Sequence, residues 1–186
     1  MILRVDALCG PVAVAATVLS LGGLAKLVRP VPTSGALRAL HLPGPLRGVQ
    51  ALGLGELILG LAAIFTGASL LLGMVGFAYI AFAGFVVAAS RAGTDIQSCG
   101  CFGTIDTPPS LVHVVINLLF AAVVGTAAVV GVPALGTLLA DQPAAGLPFL
   151  LLGAVTVYLV YLALAVLPLA LSSGTSPARP PGGAVP

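Results

Sequence analysis

The stretch SLLLGMVGFAYIAFAGFVVAASR, residues 69–91, decides the fold. No charged residue interrupts it until Arg91. At about 1.5 Å per residue, such a run spans the roughly 30 Å of hydrocarbon in a bilayer as one α-helix. Thr66-Gly67-Ala68 makes a brief turn just before it, and residues 49–65 form a second apolar run on the other side of that turn. So short a connection makes the two spans antiparallel neighbours. Further runs at residues 11–28, 110–130 and 147–171 complete a set of five.

The composition agrees with this reading. Apolar residues make up 59% of the 186-residue chain and charged ones 6%, with no Trp, and no soluble domain of this length could hide so much apolar surface. The fold class is therefore all-α: an integral membrane helical bundle, expected as a four-helix core plus a fifth C-terminal transmembrane helix. Residues 1–131 form the core, with a polar loop over residues 91–109. Residues 132–171 carry the fifth span, and the Ser-, Gly- and Pro-rich residues 172–186 form a disordered tail. A net charge of +2 without a dense basic patch excludes nucleic acid as a partner and leaves membrane lipid. One Lys against six Arg, with abundant Ala, Gly and Pro, is the composition of a GC-rich bacterial genome, hence a multi-pass protein of the bacterial plasma membrane.

At the N-terminus, Arg4 precedes an apolar run in the manner of a signal peptide. Asp6 and Cys9-Gly10-Pro11 interrupt that pattern, and no small-x-small cleavage site follows. A lipoprotein reading of Cys9 fails because its apolar segment follows the cysteine. The first span is expected to be retained, with Pro11 in its first turn, where a missing N–H costs nothing. It closes at Lys26-Leu27-Val28-Arg29-Pro30. A short interfacial helix over residues 34–42 follows, capped by Ser34. Thr107-Pro108 cap the fourth span. Glycines at 53, 60, 73, 76 and 84 read as packing positions, where small residues let helices approach.

The chemistry concentrates in Ser98-Cys99-Gly100-Cys101-Phe102-Gly103, which holds two of the three cysteines. In an extended chain, positions two apart lie near the upper limit for a disulfide, about 6.8 Å between Cα atoms. A Cys99–Cys101 bridge therefore needs a tight turn, which Gly100 permits. Such a small ring is of the labile, exchangeable kind. Cys9 lies a membrane thickness away and reads as a buried apolar residue.

Two spans separate the first loop from the Cys loop, so both lie on one side of the membrane. Lys26, Glu56, His113 and Asn117 converge at that end. Glu56 is the one acid within a span, and its expected partner is Lys26, because an unpaired charge in lipid is costly. His113 and Asn117, four apart, share a helix face. Lys26 and Arg91 are cations able to favour a nearby thiolate.

These residues resemble the methylamine-utilisation MauE family, within the wider DoxX-like group of small membrane proteins. The resemblance rests on Gly23-Leu24-Ala25-Lys26-Leu27 with Pro30, on Glu56, on Cys99-Gly100-Cys101-Phe102-Gly103 and on Asn117, and it covers roughly residues 10–131. It implies a four-helix membrane core laid out like vitamin K epoxide reductase. It also implies thiol–disulfide chemistry with a thioredoxin-like partner during maturation of extracytoplasmic proteins. Ile116 stands where the family pattern carries an Arg, and nothing in the sequence points to methylamine itself.

The leading expectation is a thiol–disulfide oxidoreductase in which Cys99 and Cys101 exchange electrons between that partner and a membrane carrier such as a quinone. Lys26, Glu56, Arg91, His113 and Asn117 support the pair. A copper or zinc site built from Cys99, Cys101, His113 and His41 is the competing class, and a non-catalytic scaffold subunit is the third. Orientation divides the arguments. Five of the six arginines, and Lys26, lie on the side of the Cys loop, which the positive-inside rule assigns to the cytoplasm. Disulfide chemistry assigns the same loop to the extracytoplasmic side, which is the expectation adopted.

Overall fold

The computed structural model describes residues 2–91, 109–168 and 170. The Cys99–Cys101 motif, Thr107-Pro108 and the expected disordered tail lie outside the described residues. The elements are α1 (Ile2–Val28), α2 (Val31–Ala39), α3 (Leu46–Thr66), α4 (Ser69–Arg91), α5 (Leu111–Val130), the short α6 (Leu135–Ala140), a 3-10 turn (Pro143–Gly146) and α7 (Leu147–Ala165). Five of these helices are long and apolar enough to cross a membrane. The protein is an all-α membrane bundle with lipid-facing outer surfaces.

Three local expectations need correction. Helix α1 begins at Ile2 and runs through Pro11, which is an interior residue and exposed. The lost backbone hydrogen bond is tolerated because membrane helices accept an internal proline where neighbours compensate. The short helix α2 begins at Val31 with Pro30 at its N-cap, and Ser34 does not cap it. Ser34 instead donates its hydroxyl to the Gly44 carbonyl, fastening the α2–α3 connection back onto the helix. At the start of α5, Ser110 occupies the cap position in an extended conformation.

Helix α1 is the centre of the bundle and packs most extensively against α3, while α4 packs against α5. The α1–α3 contact is made by glycine against backbone. A Cβ at Gly23 would run into the Gly53 carbonyl, and one at Gly53 would come within 2.6 Å of the Gly23 carbonyl. One helical stretch further along, Gly60 faces the Ala16 carbonyl and Ser20 in the same way. This is the close approach that small residues allow in membranes. A Cβ at Gly73 or Gly84, by contrast, would meet nothing within 4 Å among the described residues, so neither glycine is needed for a close helix contact.

The two helix pairs join through a core that includes Leu19, Leu72, Val75 and Val124. Tyr79 of α4 crosses that core to donate to the Ala15 carbonyl of α1 at 2.6 Å. Its ring meets Phe82 edge-on and Phe120 at a tilt. Gly67 ends α3 in the left-handed region (φ 64°), which supports the tight turn into α4 that Thr66-Gly67-Ala68 foretold.

Candidate functional site

Gly23 and Gly53 sit one helical turn from Lys26 and Glu56, so the backbone contact between them brings those two side chains face to face. Lys26 Nζ donates to Glu56 Oε2 at 2.7 Å, and both residues are buried. The pairing expected from the two lone charges is present. Lys26 Nζ also lies 5.1 Å from the centre of the Phe82 ring, a cation–π distance. Gln50 secures the register by donating to the Leu27 carbonyl at 3.3 Å, across the same α1–α3 seam. The thiols of Cys99 and Cys101, which Lys26 is expected to support, lie outside the described residues.

His113 and Asn117 share a buried face of α5, as their spacing requires. Asn117 donates to the His113 carbonyl at 2.7 Å. The His113 ring is held by Ser110 Oγ at 2.8 Å from Nδ1, and Leu164 of α7 lines the same cavity.

These groups surround a cavity of about 260 Å³ at one end of the bundle. Every long helix reaches it: Lys26 from α1, Glu56 from α3, Phe82 from α4, His113 and Asn117 from α5, Leu164 from α7. Helix α2 closes it with Thr33 and Leu37. The expectation that the end of the first span and the starts of the second and fourth meet at one surface holds. This is also the end at which residues 92–108 connect α4 to α5. Arg91, at the end of α4, is exposed and does not line the cavity. It stands in the chain immediately before the segment that carries Cys99 and Cys101.

Sequence reasoning missed three contributors. Tyr79 and Phe82 line the cavity. Tyr79 is the one tyrosine before α7, and its polar tip in a span was the available signal. Leu164 lines the cavity from α7 as one leucine among many in that span, which leaves no mark in the sequence. For the metal reading, His113 is engaged by Ser110, while His41 is exposed in the α2–α3 connection. Among the described residues no three His, Cys, Asp or Glu side chains cluster as metal ligands, with Cys99 and Cys101 outside that set. Cys9 is buried at the opposite end of the bundle, beside Val12 and Ala63.

The family model for methylamine utilisation protein MauE matches residues 5–134. That span runs from the first turns of α1 to the residue before α6, so α7 lies beyond it. Comparison with curated proteins gives no match, and comparison with solved structures gives none either.

Proposed function

We propose, from the premise that this chain belongs to the methylamine utilisation protein MauE family, that it is a membrane thiol–disulfide redox protein. Cys99 and Cys101 exchange with a thioredoxin-like partner and pass electrons to or from a membrane carrier such as a quinone. The activity supports maturation of extracytoplasmic proteins, and the Cys loop faces the extracytoplasmic side of a bacterial plasma membrane.

One observation carries this reading. A buried Lys26–Glu56 pair, His113 and Asn117 line a cavity at the end of the bundle where the Cys99-Gly100-Cys101 segment is inserted. Polar groups inside a membrane span are expensive and belong to functional sites by default.

The exchange balances as follows. One thiolate of the pair attacks the partner's disulfide, releasing one partner thiolate and forming a mixed disulfide. The second cysteine thiolate then attacks its neighbour's sulfur, closes the Cys99–Cys101 bridge and releases the partner as a dithiol. In the other half-reaction, the Cys99–Cys101 disulfide takes two electrons and two protons from a quinol, which leaves as the quinone, and the pair returns to the dithiol. Run in reverse, a quinone oxidises the pair and the pair oxidises a partner dithiol. Lys26 and Arg91, the latter adjoining the segment, are the cations available to favour a thiolate.

Differential alkylation after acid quenching tests the proposal. Protein from cells should carry a Cys99–Cys101 disulfide in a substantial fraction of molecules, and reduction should expose two additional thiols. Cys9→Ala should leave that number unchanged. Cys99→Ser or Cys101→Ser alone should accumulate a mixed disulfide with a partner protein. Free thiols at both positions in oxidant-treated cells, with a stoichiometric metal ion copurifying, would overturn it. A reporter fused to the C-terminus tests orientation, since cytoplasmic activity there reverses the side assigned to the Cys loop.

A further inference from the structure

We propose that the cavity binds a lipid-soluble ring bearing a hydroxyl group, the chemistry of a phenol or a quinol, which reaches it from the bilayer between α3 and α4. The cavity volume of about 260 Å³ exceeds the roughly 150 Å³ that suffices for benzene, so a substituted or fused ring fits. Leu52 of α3 and Ala81 of α4 both line it, and both are exposed, Leu52 by 48%. In a membrane those positions face lipid, so the opening admits a molecule already dissolved in the bilayer. Phe82 and Phe85 supply aromatic walls, which suit a ring better than a flexible chain.

The polar end sets the head group. Glu56 is 4% exposed, and its Oε1 is buried with no hydrogen-bond partner among the described residues. Lys26 has three N–H donors, of which Glu56 Oε2 takes one. The ion pair is already neutral, so a charged head group would leave an excess charge in a low-dielectric site. A pure hydrocarbon would leave Oε1 without a donor. A hydroxyl meets both needs, accepting from Lys26 and, after a small rotation of the carboxylate, donating to Glu56. Within the redox reading, on which the naming of a quinol rests, this cavity is the seat of the membrane carrier; binding itself requires no cysteine.

The test uses the full chain in lipid nanodiscs and heptyl-hydroxyquinoline N-oxide, a fluorescent quinol analogue whose emission is quenched in apolar sites. Quenching should saturate at one molecule per chain. Ala81→Trp fills the opening from a lipid-facing position, which leaves the packed core untouched, and should weaken binding at least about tenfold. Glu56→Gln and the methyl ether of the probe, which has no donor, should each weaken it about tenfold. The Cys99→Ser/Cys101→Ser chain should bind as the wild type does, so failure of thiol trapping alone removes the redox reading and leaves the site standing. Quenching that rises linearly without saturation, or an affinity indifferent to both Ala81→Trp and the methyl ether, overturns the site.

Discussion

Helices α1 and α7 both carry a stretch apolar enough to cross a membrane, yet 56% of that window of α1 is buried inside the bundle and 6% of that of α7. The difference lies in their small residues and charges. Helix α1 carries Gly22, Gly23 and a run of alanines, and it meets α3 backbone to backbone. Helix α7 carries bulky Leu, Val and Tyr, with Leu150, Leu151, Leu152 and Val155 turned to lipid. In a bilayer, apolarity fixes only that a segment spans. Close approach requires small residues, because lipid tails are as apolar as leucine and give no drive to bury one.

The sharpest way to break the comparison is at the ion pair that α1 buries. Lys26→Met strands the Glu56 carboxylate, and Glu56→Gln strands the ammonium; each should cost about 3–5 kcal/mol, as removing one partner of a buried pair does. The double variant Lys26→Met/Glu56→Leu should recover a large part of either loss. Thermal unfolding in detergent measures all three. Strict additivity of the single effects would contradict the 2.7 Å pairing.

A second test separates packed glycines from exposed ones. Gly53→Leu forces a side chain against the Gly23 carbonyl and the Lys26 side chain, and should cost about 1–3 kcal/mol or more. At Gly73 an added Cβ meets nothing within 4 Å among the described residues, so Gly73→Leu should stay within about 0.5 kcal/mol. Equal effects at the two positions would mean that the α1–α3 seam is looser than its geometry.

Much of this was legible in the sequence, for identifiable reasons. The spans were readable because charge is nearly absent from them. The Lys26–Glu56 pair was readable because each is a lone charge in a span and a bare ion in lipid must find its opposite. Gly53 and Gly60 share a face with Glu56, and that face proved to be the α1 contact. Other features left weaker marks. Pro11 suits a first turn or a membrane-helix interior equally well, so it does not by itself fix where α1 begins. The glycines at 73 and 84 look like Gly53 in sequence and differ in that a Cβ there meets nothing within 4 Å among the described residues. The α7 contribution is Leu164, which nothing in the sequence sets apart from the other leucines of that span.

Tyr79→Phe tests a side-chain hydrogen bond that ties α4 to α1. It removes the hydrogen bond to the Ala15 carbonyl and keeps the ring contacts with Phe82 and Phe120. Interhelical hydrogen bonds in membranes average about 0.6 kcal/mol, so the expected loss is of that size. A loss several times larger would show that the hydroxyl also orders the cavity wall it lines.

The smallest effect is expected on α7, where one substitution type can be compared between the two helices. Leu152 is 68% exposed, and Leu152→Ala exchanges one lipid-facing apolar group for another; stability should change by less than about 0.5 kcal/mol. Leu19→Ala in α1 removes a side chain that is 2% exposed and packed in the central core, leaving a cavity at a cost of about 2–4 kcal/mol. Chemical denaturation of both variants in the same detergent gives the ratio directly. If Leu152→Ala destabilises as much as Leu19→Ala, the outer face of α7 is covered in the working protein, by a second copy or another membrane partner. The same result in monodisperse, monomeric detergent samples would instead place α7 in the core and overturn its assignment as a lipid-facing helix.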